Sequence, residues 1–589
     1  MTTLDRLGLI GNCQYGALVR DDGAVVWCCM PRFDAEPLFG ALLDEAAGGR
    51  FVIGPADGST GVQAYLRNTN VLETRFDTAE GSFRVIDFAP RFVQYERTFR
   101  PTQILRIVEP ISGTPRIRAH CDPVLGWSRE APRRQLGSHH VSFLGYGAEV
   151  RLTTDVPLSY LSTESFALTG RRHFVLSWGQ PVEEPLAPLC ERFLAQTERY
   201  WRQWVKGCDV PPLFQREVIR SALTLKLHCF EDTGAIVAAM TTSIPESAGS
   251  GRTWDYRYCW LRDASYTLGA FRLLGQFEER EQFLQFLVDV ASRSKDLDLA
   301  PLYRVDGRLD LEEHVLADWP GYQCEGPVRV GNQAAAHKQH DVFGEMVLAL
   351  LPLFVDERSS DQVTPAVLDL VERLADKAIS LAGSPDAGIW EYRAVWRPQT
   401  FSTLMCWAAA DRAARICALH RPSRADGFAR EATRLREMIL RDAVDPVRRC
   451  LVADHGGSTL DAALLQAVTL RFLPPDDPHM HATVDAIRHD LEVDGWLRRY
   501  STADDFGVPE VAFTLCTYWL VEALAVLGRR DEARALLERT RAIVTPLGLL
   551  SEDVDPRNGR MWGNFPQCYS HVGLIHAAFA ASPSWSELG

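Results

Sequence analysis

Two glutamates in loops stand out as the residues able to do chemistry together. Glu391 follows Trp390 in Gly388-Ile389-Trp390-Glu391-Tyr392-Arg393, and Glu552 lies in Gly548-Leu549-Leu550-Ser551-Glu552-Asp553 near the C-terminus. Two carboxyl groups set across one bond can protonate a leaving oxygen from one side and activate a water from the other. In inverting glycoside hydrolysis they stand roughly 6.5–9.5 Å apart, which leaves room for that water. The indole before Glu391 is an apolar neighbour that can keep a carboxyl protonated, so Glu391 is expected to be the acid. Glu552, beside Asp553, is expected in a more polar setting as the ionised base. A loop glutamate is far more often a surface group than a catalyst. The chain must therefore bring these two to one place.

The elements available to do so lie beyond residue 210, where the apolar period is helical. About twelve amphipathic segments start near residues 213, 263, 280, 333, 362, 400, 424, 459, 480, 509, 530 and 567. The connections after every second segment are short. The others are longer and richer in Trp, Gly, Asp and Glu. If successive helices run up and down, all the rich loops emerge at one end. Six hairpins can close into an (α/α)6 barrel with one decorated mouth, and the alternation favours this over an open solenoid, because function concentrates in loops held by a rigid scaffold.

Those loops hold Glu246 and Trp254 to Asp263 in the first, Trp319 and Arg329 in the second, and Trp390 with Glu391 in the third. Asp454 to Gly457 lie in the fourth, Trp496, Asp504, Asp505 and Glu510 in the fifth, and Glu552 with Trp562 to Gln567 in the sixth. Seven of the fifteen tryptophans fall in or beside them, more than helix packing requires. Indoles, carboxylates and arginines suit a neutral polyhydroxylated ligand: flat rings cover the C–H faces of a sugar, and charged forks bond its hydroxyls. Trp319, Arg329 and Glu510 are expected to contact it. Trp407 and Trp519, inside helices, are expected in the core.

Before residue 180 the period is two, as half-buried strands require. Ala17 to Arg20 and Ala24 to Trp27 flank the turn Asp21-Asp22-Gly23, and similar pairs follow around Ala79-Glu80-Gly81 and from His140 to Trp178. Many short strands without helices predict an antiparallel β-sandwich over 1–185. A linker helix over 186–210 carries Tyr200, Trp201 and Trp204 as docking residues, and a helical barrel occupies 211–589. The length, 589 residues, exceeds one ordinary core.

Net charge is −14, with no basic run, which argues against a nucleic-acid partner. No apolar run reaches a membrane span and the N-terminus lacks a secretory pattern, so the reading is cytoplasmic. The fourteen cysteines show neither CxxC nor a disulfide spacing and are expected reduced and mostly buried. His314, His337 and His340 lack zinc-like spacing and are read as helix surface. The oligomeric state is not legible, and a homo-oligomer stays open.

The longest motifs carry a resemblance. Trp254-Asp255-Tyr256-Arg257-Tyr258-Cys259-Trp260-Leu261-Arg262-Asp263-Ala264-Ser265 is similar to the signature of bacterial glycoside hydrolase family 15, the glucoamylase and trehalase family. So are Pro327-Val328-Arg329-Val330-Gly331-Asn332, Gly388 to Arg393 and Gly563-Asn564-Phe565-Pro566-Gln567, while Ile10-Gly11-Asn12 and Pro31-Arg32-Phe33-Asp34 resemble the family's N-terminal β-domain. The resemblance implies an inverting, exo-acting α-glucosidase with no metal or organic cofactor. It implies Glu391 as general acid and Glu552 as general base, Arg262 and Asp263 on the hydroxyls of the terminal glucose, and Trp254 and Trp390 shaping its pocket. Thr403, Cys324 and Trp396 depart from the usual pattern and bear on specificity. The expected substrate is a small α-glucoside such as trehalose or a malto- or isomalto-oligosaccharide. A disaccharide phosphorylase or glucosyltransferase on the same barrel, or an inactive glycan-binding protein, are the competing readings.

Overall fold

In the computed structural model, which describes residues 3–587, a β-rich region precedes a mainly helical one. Alternation builds the strands: in Leu72–Thr78, Leu72, Thr74 and Phe76 point inward while Arg75 and Asp77 face solvent. One antiparallel sheet orders Leu7–Gly11, Gly16–Arg20, Ala24–Cys29, Arg50–Pro55, Arg116–Asp122 and Phe166–Ala167, with Pro37–Phe39 added beside Ala24–Cys29. An eight-stranded antiparallel sheet runs from Arg133–Leu136 through Gln103–Gly113 to Val62–Tyr65. The turn after Arg20 needs glycine: Gly23 has φ +82°, and a Cβ there would meet Ile53 O at 1.9 Å.

A buried ion pair ties the sheets together. Arg106, in the eight-stranded sheet, donates Nε–H to Asp87 Oδ1 at 2.7 Å, and its Nη groups reach Phe51 O and Gly23 O in the other sheet, both at 2.7 Å. Neither Arg106 nor Asp87 is exposed at all.

Helix α1 (Leu186–Lys206) crosses to the second region. Its Trp201 is buried, and the Arg91 guanidinium lies over the rings of Tyr200 and Trp201. Twelve helices follow among the described residues: α2 (Gln215–His228), α3 (Leu261–Leu273), α4 (Glu278–Ser292), α5 (Asp341–Val355), α6 (Pro365–Leu381), α7 (Thr400–His420), α8 (Pro422–Asp442), α9 (Gln466–Thr469), α10 (Pro478–Leu491), α11 (Thr514–Val526), α12 (Arg530–Thr540) and α13 (Cys568–Ala581). Two differ from the sequence reading. The segment expected near 333 is a separate 3-10 turn, Gln333–Ala336, capped by the Asn332 side chain, and extended His337 ends it before α5. The segment expected near 459 is a 3-10 turn, Ala462–Leu465, running into the single turn of α9.

Packing closes the helices into a ring: α3 on α5, α5 on α7, α7 on the turn before α9, α9 on α11, α11 on α13, and α13 back on α3. The remaining helices lie outside it. Inner helices such as α11 and α13 are buried nearly all round, whereas outer α8 buries only the stripe Phe428, Ala432, Leu435 and Ile439. Every long connection leads into an inner helix.

All fourteen cysteines are free thiols, twelve of them buried; Cys208 is half-buried and Cys324 exposed. Among the described residues no helix is long and apolar enough to cross a membrane.

Candidate active site

Five of the six long connections line one cavity at the same end of the ring, and the fourth reaches it through Asp461, which accepts from Trp390 Nε1 at 2.8 Å. Trp254, Arg262, Asp263, Trp390 and Glu391 all face this cavity. Its first wall is fixed by the β-rich region: Arg257 pairs with Asp255 at 2.7 Å, donates to Ala35 O at 2.6 Å and lies over Trp127. The signature around Trp254 is thus pinned from outside the helical ring.

Glu391 stands on a tight turn. Its φ is +62°, and the Glu391 and Tyr392 N–H groups bond Gly388 O and Ala387 O. A non-glycine residue held there costs of order 1–3 kcal/mol, the kind of strain that functional sites retain. The turn presents the carboxylate to two donors on Oε1: Trp260 Nε1–H at 2.7 Å and Arg262 Nη2–H at 3.1 Å. Arg262 also donates to Tyr569 Oη and Gln339 Oε1.

Glu552 is fully buried behind the wall. Tyr256, which lines the cavity, donates its O–H to Glu552 Oε1 at 2.8 Å, and the Asn564 N–H approaches Oε2 at 3.4 Å. The Tyr256 and Trp260 rings meet edge to face 5.4 Å apart, so the donors holding the two glutamates touch each other. Gly563 has φ +75°, and a Cβ there would sit 2.5 Å from Glu552 Cβ; the Gly563-Asn564 motif exists to let this carboxyl in.

The expected contrast between the two acids is overturned. Burial first, and then the Glu246 carboxylate, push Glu552 up, while Arg499 and the donors from Tyr256 and Asn564 pull it down; its neighbour Asp553 is also pushed up by burial. The Glu391 side chain keeps 22% of its exposure and accepts two hydrogen bonds. Neighbours in sequence misled here because tertiary packing, not Asp553 or Trp390, sets each environment. Asp263, buried beside Arg262, is pushed up to about 7, chiefly by burial.

Three further expectations change. Trp319 lies away from the cavity: buried against the β-rich region, it donates to Trp127 O and packs on Gly40, so its indole docks the two regions. Glu510 is a surface group, 69% exposed and 3.8 Å from Arg557. Arg329 sits behind the wall, over the Trp254 ring and paired with Glu313 at 2.8 Å. His337, read as helix surface, is buried in the cavity wall near Trp396, and His340 is buried too; His314 is exposed.

Tyr256 and Trp260 were within the recognised motif but not singled out. Glu246 has no signal beyond its place in the first rich loop, and Arg499 has none. They pair across 253 residues, and Glu246 also accepts from Trp254 Nε1 at 2.9 Å, an arrangement no local pattern announces.

Comparison with known proteins identifies the family. The family model for glycosyl hydrolases family 15 matches residues 214–579, and a trehalase-like N-terminal model matches residues 1–153. A trehalase from Mycolicibacterium smegmatis is 35% identical over 97% of this chain and 90% of its own length, and one from Thermoplasma volcanium 32% over 97% and 92%. The fold matches a bacterial glucoamylase solved with acarbose, TM-score 0.68 at 13% identity, covering 98% of this chain and 94% of that one. A cavity walled by family signatures, on a chain matched along nearly its whole length, leaves one conclusion: the protein belongs to glycoside hydrolase family 15.

Proposed function

We propose that this protein hydrolyses trehalose, working exo and with inversion from an (α/α)6 barrel over 211–589, to which a β-sandwich over 1–185 and a linker over 186–210 are docked. The observation that carries the mechanism is the convergence of two carboxyl groups from opposite loops on one aromatic pair: Glu391 on Trp260 and Glu552 on Tyr256. Glu391, facing the cavity, protonates the departing oxygen. Glu552, whose donors favour its carboxylate, takes a proton from the attacking water. Arg262 and Asp263 hold the hydroxyls of the glucose being attacked, and the Trp254 and Trp390 rings close on its faces. Trehalose as substrate rests on the relatives named above.

The test is a panel of α-1,1, α-1,4 and α-1,6 glucobioses with the product anomer followed by NMR. Inversion at one centre of trehalose gives equal amounts of β-glucose and α-glucose at first; α-glucose alone refutes it, and glucose 1-phosphate formed in added phosphate refutes hydrolysis. Glu391→Gln and Glu552→Gln are each expected to remove most activity. With α-glucosyl fluoride, whose leaving group needs no proton, Glu391→Gln should recover turnover and Glu552→Gln should not. The opposite pattern would reverse the two roles.

A further inference from the structure

The cavity has a deep end and an outer end. Arg262 and Asp263, in the first turn of α3, are buried; Glu391 is partly open; Trp254, Arg393 and Phe506 line the same space nearer the surface. In an exo attack the glucose on Arg262 and Asp263 is the buried one, so the departing sugar points to the outer end.

That end is bridged. The segment Asp504-Asp505-Phe506, in the fifth long loop, reaches across to two others. Asp504 binds Arg252 of the first loop through both oxygens, one bond being 2.8 Å, and Arg252 also donates to Gly507 O at 2.7 Å. The side chains of this pair keep only 6% and 8% of their exposure. Asp505 accepts the Arg393 N–H at 2.6 Å and the Ala394 N–H at 3.1 Å, two and three residues past Glu391 in the third loop. The Phe506 ring meets the Trp254 ring edge to face at 5.0 Å. The Arg393 guanidinium covers both rings, 4.7 Å from Trp254 and 5.4 Å from Phe506, and Glu313 of the second loop holds it at 2.9 Å. Four of the six long loops thus meet over the mouth.

The space beneath is small, about 80 Å3 for the centres of water molecules. Treated as a sphere, it reaches about 280 Å3 once the roughly 1.4 Å from a water's centre to the wall is added. Two sugar rings fill such a space and three overfill it. We propose that Asp504-Asp505-Phe506 is a roof that sets substrate length, leaving the departing group room for one ring and turning away longer chains. Asp505 and Phe506 are its specificity-determining residues. This rests on the exo reading above, with the attacked glucose on Arg262 and Asp263. Asp505 also links length to turnover, because its two bonds hold the segment just after the acid's turn. A chain that lifts the roof frees the loop that carries Glu391, so a longer substrate loses in kcat as well as in KM.

The experiment uses two substrates cleaved at the same bond. One is trehalose, whose leaving group is glucose. The other is trehalose with a further α-1,4 glucose on one ring, whose leaving group is maltose, read by chromatography. Should the glucobiose panel favour another bond, maltose with maltotriose or isomaltose with isomaltotriose takes their place, so failure of trehalose as substrate leaves the test intact. In the parent, kcat/KM should favour the disaccharide by at least about tenfold, the low end of what pocket size discriminates. In Phe506→Ala and Asp505→Ala the preference should fall toward parity, with a lower kcat on the disaccharide in Asp505→Ala. Glu510→Ala, on the surface of the same loop, should keep the parent's preference. A parent that cleaves both substrates equally well overturns the proposal. So does a preference that both variants retain, including one retained through equal losses on the two substrates. If a variant does not fold, the parent's own preference and the other variant still decide. Retention of configuration in the panel defeats the inverting mechanism and leaves the length preference to be judged by the same ratio.

Discussion

Replacing Tyr256 by Phe removes one oxygen from the wall and isolates its effect on Glu552. The ring and its edge contact with Trp260 remain; the 2.8 Å bond to Glu552 Oε1 is lost. A hydrogen bond to a charged group contributes about 1.5–3 kcal/mol and one between neutral groups about 0.5–1.5 kcal/mol. The bond therefore favours the carboxylate over the carboxylic acid by about 1–1.5 kcal/mol, which is about one pH unit. Burial already pushes Glu552 up and Tyr256 opposes it, so the variant pushes it up further. A base must be ionised to act, and the acid limb of kcat/KM against pH should move to higher pH by about one unit, about a tenfold loss at a pH on that limb. On the plateau the loss is smaller. The assay is glucose release from trehalose across the pH range, with thermal melting to confirm the fold. An acid limb that does not move, or moves down, would refute Glu552 as the titrating base or the bond that holds it.

Asp87→Ala leaves the Arg106 guanidinium buried without its counter-charge and should cost about 3–5 kcal/mol, read as a lowered melting temperature. Trp319→Ala should lower stability and leave kcat/KM unchanged, and Glu510→Ala should change neither; a loss of kcat/KM in either variant would return that residue to the site. His571 accepts from Leu550 N–H at 3.2 Å, anchoring the loop that carries Glu552, and burial holds it well below its ordinary 6.5. The unfolded chain binds the proton first, so this stability is fully present above about pH 6.5 and is lost as pH falls. His571→Gln should flatten the decline of melting temperature between about pH 7 and 5.

The two loop glutamates, the helix count to within one or two segments, the strand hairpins and the placement of the long loops were legible because each has a local cause. Period two or 3.6 marks what a segment buries, and Trp254 to Ser265 is a contiguous motif. Trp319 and Glu510 were misread because a tryptophan or glutamate in a rich loop looks the same from sequence whether it faces a sugar, a neighbouring sheet or solvent. What the sequence alone determined is which groups the chain possesses: two glutamates in long loops of a helical array, with indoles and arginines around them. What only the tertiary structure decided is the environment of each. Glu552 is buried because residues about three hundred positions away, Tyr256 and Glu246 among them, close around it, and its proton affinity follows from the charges and donors within a few ångströms of it, however far off they lie along the chain.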